Sequence, residues 1–171
     1  MTVNVKPTHE NQILTTDDSS PDEELQWTQF VRVMQIITGA LVAGVGAYFA
    51  YAVISAEEFS DSPGLMTSIA IGLAVLAIAA KLIVPGMIGS GKDAKSPTDL
   101  IGIYQTRLIV GLALLEGSAF LNITMFTLEQ HWWLLAATGV QIILMLASWP
   151  TRSKVEFWIR TQQEMATLES R

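Results

Sequence analysis

Cysteine is absent from this 171-residue chain, which excludes disulfides, thiolate metal sites, haem attachment and cysteine nucleophiles. Histidine is almost absent: His9 and His131 stand apart, neither with a partner at metal-ligand spacing, so the sequence offers no metal site. Gly86 to Gly91 lacks the strand-to-helix setting of a phosphate loop, and no serine has the His and Asp arrangement that would make it a nucleophile. Charge is scarce too. Only 15% of residues are charged, and four long stretches hold almost none of them. The composition therefore argues against an enzyme and calls for no cofactor.

What the chain does have is apolar runs. Residues 31–55, 64–88, 108–128 and 132–149 are each about 18–25 residues long, enough to cross a hydrocarbon core roughly 30 Å thick at 1.5 Å per residue. A soluble bundle would spread its apolar residues as stripes, whereas here they fill whole segments. The expected fold is all-α: an integral membrane bundle of four transmembrane helices, flanked by amphipathic surface helices at both ends. Its solvent is the lipid bilayer.

Three regions follow. Residues 1–19 read as a disordered acidic tail, 20–149 as the transmembrane domain and 150–171 as an amphipathic cytoplasmic helix. The net charge of -6 gathers at the front, where Glu10, Asp17, Asp18, Asp22, Glu23 and Glu24 face Lys6 alone. Such a tail has no use for nucleic acid or an anionic surface. It also lacks the basic start and apolar run of a cleavable signal, so the first span is expected to direct insertion. Ser20-Pro21 with Glu23 forms a capping box, and Ser62-Pro63 and Ser96-Pro97 repeat the Ser-Pro start before the second and third spans. Pro85 is expected to end or kink the second span, and Ser153 with Glu156 to open the last helix.

Basic residues set an orientation. Arg32, Lys92, Lys95, Arg152 and Lys154 all fall on one side if both termini are cytoplasmic, while Glu57, Glu58 and Asp61 occupy the opposite loop. Tyr48, Tyr51, Trp132 and Trp133 then belong to the outer interface, and Trp27, Trp149 and Trp158 to the inner one. The localisation this implies is a cell (inner) membrane, crossed several times.

Glu116 lies near the middle of the third run, where an ionised side chain costs about 3 kcal/mol or more. It is the candidate site for a proton or cation, with Gln141 and Thr38 as possible hydrogen-bond partners; a purely structural carboxyl in a helix contact is the competing reading. Arg107 is nine residues earlier, on the opposite helix face, so the two cannot pair within one helix. Arg107 and Lys81 are both expected to snorkel to the headgroups. Small residues mark helix contacts: Gly39, Ala43 and Gly46 in the first span, and Gly111, Ser118 and Asn122 in the third. Such faces suit a homo-oligomer or a place in a larger membrane complex.

From Arg107 to Phe120 the chain reads Arg-Leu-Ile-Val-Gly-Leu-Ala-Leu-Leu-Glu-Gly-Ser-Ala-Phe. This segment resembles the second helix of the proton-carrying c subunit of rotary ATP synthases. The resemblance implies that Glu116 matches the ion-carrying carboxylate. The c subunit's Arg-Gln-Pro loop and glycine-rich first helix are not found here. As a whole, the chain resembles small four-span bacterial membrane proteins. Two functions therefore stand side by side: a structural or accessory component that works through helix packing, and a proton- or cation-translocating element centred on Glu116.

Overall fold

The computed structural model describes residues 21–88 and 97–169. The acidic tail, Ser20, Ser96 and the residues 89–96 with Lys92 and Lys95 lie outside the described residues, as do the side chains of 21–26 and with them Glu23. Five helices follow in order: α1 Pro21–Ile54, α2 Leu65–Met87, α3 Pro97–Glu129, α4 Trp132–Ala147 and α5 Arg152–Glu169. Among the described residues there is no strand.

Three helices, α1, α2 and α3, are long and apolar enough to cross a membrane. Helix α4 has 16 residues and rises only about 24 Å, short of a ~30 Å hydrocarbon core. It reaches spanning length only if joined to α5 across a 73° bend. The crossing expected over 132–149 is thus shortened: Ser148 closes the helix, and Pro150, which cannot extend it, turns the chain into α5.

Helix α3 is central and packs against all four others. Its Leu112, Leu115, Ala119, Ile123 and Phe126 meet Val45 and Ala52 of α1, Ala70 of α2, and Leu134 and Met145 of α4. A second, smaller cluster seats α5 under the starts of α1 and α3: Val155 and Ile159 bury against Leu100, ringed by Trp27, Phe30, Tyr104 and Trp158. The outer surface is apolar. Ile54 is 83% exposed and Leu82 77%, with Val75, Leu76 and Ile83 beside them. Water would drive such a surface together, whereas hydrocarbon accepts it. The architecture is compatible with a membrane protein.

Helix ends show where local signals hold and where they shift. Pro97 opens α3 at its first position, with Asp99 in the first turn, as the motif requires. Helix α2 opens instead on Gly64, which has no side chain to cap with, so Ser62-Pro63 is not its cap. It runs through Pro85 to Met87, and Ile88 N–H closes it on the Val84 carbonyl at 3.1 Å. The last helix begins at Arg152 rather than Ser153. Thr151 Oγ1 accepts from Lys154 N–H at 3.4 Å, and Glu156 pairs with Arg152 one turn earlier instead of reaching back to Ser153.

Candidate functional site

Within the core, α3 and α4 meet through amides. Asn122 Nδ2 donates to Gln141 Oε1 at 3.1 Å, Gln141 Nε2 donates to Ser118 Oγ at 2.6 Å, and Ser118 Oγ donates to the Leu115 carbonyl at 3.1 Å. Asn122 and Gln141 are fully buried. An amide pair in an apolar setting fixes the register of two helices, because sliding either would strand both groups. Ser118 and Asn122 of α3 thus both meet Gln141 of α4.

Gln141 is therefore not spent on Glu116. The Glu116 carboxyl is half-buried, and no described residue hydrogen-bonds it. Thr38 is fully buried, and its hydroxyl also has no partner in the described residues. Of the small residues singled out in α1, only Gly39 makes a close contact, 3.6 Å from a built Cβ to the Trp149 ring. Ala43 is exposed, and around Gly46 there is open space. Gly111 is buried and lines a cavity.

The end of the molecule holding the α1–α2 loop and the α3–α4 turn is tied by one carboxylate. Glu129 Oε2 accepts from Thr67 N–H at 2.8 Å and Thr67 Oγ1 at 2.6 Å, and Oε1 accepts from Met66 N–H at 3.1 Å. The last residue of α3 thus caps the first turn of α2, supplying the acceptor that Gly64 lacks. A Cβ on Gly64 would meet the Glu129 carboxyl, so glycine permits the close approach. Ser60 N–H donates to the Gln130 carbonyl at 3.0 Å, and Phe59 packs on Phe126 with ring centres 6.0 Å apart.

Cations gather at the opposite end. Lys81 Nζ donates to the Leu144 carbonyl at 3.0 Å and to Ser148 Oγ. Lys154 Nζ donates to the Ala147 and Trp149 carbonyls at 3.1 and 3.2 Å, so two lysines serve the C-terminus of α4. Arg107 Nε donates to the Ile88 carbonyl at 3.1 Å, and its guanidinium carbon lies 5.3 Å from the centre of the Trp158 ring. Lys81 thus reaches the end of α4, and Arg107 the end of α2 and the Trp158 face. Between them is a cavity of about 230 Å³, lined also by Tyr104, Leu108, Leu112 and Ser148.

Sequence reasoning missed the pairing of Glu129 with Thr67 and the convergence of Lys81 with Arg107. The chain matches no family model, no curated protein and no solved structure. What fold and site define is a class: an all-helical protein whose described residues include three to four helices fit for a membrane, with an amide contact between α3 and α4.

Proposed function

We propose that the chain is a non-enzymatic, multi-pass membrane protein that acts by packing against a second copy of itself through α1. One observation carries this reading: Ala40, Ala43, Gly44, Ala47 and Ala50 all lie exposed along α1, and nothing comes within 4 Å of a Cβ built on Gly44. Small residues at helical spacing let two backbones approach closely, which is how helices associate in lipid without a hydrophobic drive. Placement in a bacterial inner membrane with both ends cytoplasmic belongs to the same reading, supported by the distribution of basic residues.

The absence of native cysteine makes the test clean. Single cysteines at Ala40, Gly44 and Ala47 should crosslink in native membranes, one at Leu82 should not, and Gly44→Leu should abolish the dimer. A monomer at every position refutes the proposal.

A second reading rests on Glu116, whose carboxyl has no hydrogen-bond partner in the described residues and is open to a proton or cation. The local likeness to the c subunit points the same way. Ion flux through vesicles carrying the protein should then fall with Glu116→Gln; equal background flux from both retires the idea.

A further inference from the structure

We infer that the cavity between Lys81 and Arg107 binds the phosphate-bearing headgroup of an anionic phospholipid. The inference goes beyond self-packing and rests only on the membrane setting. Three observations lead to it.

First, the charge of Lys81 is not balanced among the described residues. No described carboxylate pairs with it, and its two partners are neutral oxygens. The Leu144 carbonyl also accepts from Ser148 N–H at 3.2 Å and Ser148 Oγ at 2.7 Å, so it stays satisfied without the ammonium. A lysine kept in an apolar helix at a cost, with only neutral oxygens facing its ammonium, marks a site for an anion. The ends of α4 that could compete for it, the Ala147 and Trp149 carbonyls, are already served by Lys154.

Second, Arg107 lines the same cavity, and a guanidinium presents planar donors that match phosphate oxygens. Tyr104 adds a hydroxyl to the same wall, and the Trp158 indole lies against the guanidinium.

Third, size and lining favour an amphiphile. The cavity of about 230 Å³ falls below the roughly 300–1,000 Å³ of drug-sized sites, so it fits a headgroup rather than a whole ligand. Its remaining wall is apolar: Leu108 of α3, with the buried Gly111 and Leu112 behind it. A free phosphate would leave Leu108 unmatched, whereas the start of an acyl chain would cover it.

The experiment uses the full chain, delipidated and returned to nanodiscs holding equal phosphatidylglycerol and phosphatidylcholine, with retained lipid counted by native mass spectrometry. Phosphatidylglycerol should be retained about tenfold over phosphatidylcholine, and Lys81→Met should remove most of that preference. Leu108→Trp, which fills the cavity while keeping both cations, should do the same, with helicity and melting confirming that each variant folds. Equal retention of the two lipids, or an unchanged preference in both variants, overturns the inference. Complete displacement of the lipid by millimolar inorganic phosphate overturns the lipid assignment. Crosslinking at Gly44, read on the same sample, separates the two proposals: a lost crosslink with intact lipid preference sinks self-packing alone.

Discussion

At the end where α3 turns into α4, the Glu129 carboxylate is consumed by the fold: two backbone N–H groups and a hydroxyl surround it, and the helix they belong to has no other cap. At the end where α4 bends into α5, Lys81 sits on a carbonyl already satisfied by Ser148 and borders an open cavity. Both are charges at the margin of apolar helices. The first is structure, and the second is surplus to structure. The difference shows that an intramembrane charge is informative only after its hydrogen-bond partners have been tested for need.

The largest effect should come from breaking the acidic end. Gly64→Ala puts a Cβ where the Glu129 carboxylate sits, displaces it from the first turn of α2 and should lower the melting temperature in detergent. Glu129→Gln should lower it less, since the amide keeps one acceptor oxygen but brings an N–H to face a donor. If Gly64→Ala melts like the parent, the carboxylate is not held there and the contrast between the ends fails.

Next comes the lock between the ends. Gln141→Leu strands Asn122 Nδ2 in the core and should cost about 1–2 kcal/mol. Asn122→Leu with Gln141→Leu should recover part of that loss, because both orphans vanish together. Additive losses from the two substitutions would show that the amides do not act as a pair.

A smaller gain is expected at the α3–α4 turn. Gln130 has φ 50°, a left-handed conformation in which a Cβ crowds the carbonyl, and its N–H closes α3 on the Phe126 carbonyl at 2.8 Å. Gln130→Gly should raise stability by about 0.5–1 kcal/mol, sharpening the acidic end without touching Glu129. A fall in stability would mean that the Gln130 side chain matters more than its backbone.

These contrasts were only partly legible in the sequence. Pro97 with Asp99 announced the start of α3, and Asn122 declared a cross-helix contact, because prolines and amides carry their meaning locally. Which way each helix faces was not legible. In water, an apolar stripe against a polar one identifies the buried side; in α1 and α3 both sides are apolar, so the sequence marks Ala43 as a small residue without saying that it faces outward. Glu129 and Thr67 are 62 residues apart, and no local pattern links a residue at one helix end to the bare start of another. The contact of Lys81 with the end of α4 depends in the same way on where α4 stops, which Pro150 hints at but does not locate.

The smallest effect is the one that the comparison most needs. Lys81→Met keeps the length and volume of the side chain, removes a charge from an apolar setting and leaves the Leu144 carbonyl bonded to Ser148. Its stability should stay within about 0.5 kcal/mol of the parent, or rise slightly, when melted in zwitterionic detergent. Adding phosphatidylglycerol should then raise the melting temperature of the parent and leave Lys81→Met unmoved, since a ligand stabilises only the form that binds it. A large loss of stability in the lipid-free variant would make Lys81 a counterpart of Glu129, a charge held in place by the fold, and the two ends would no longer differ in kind.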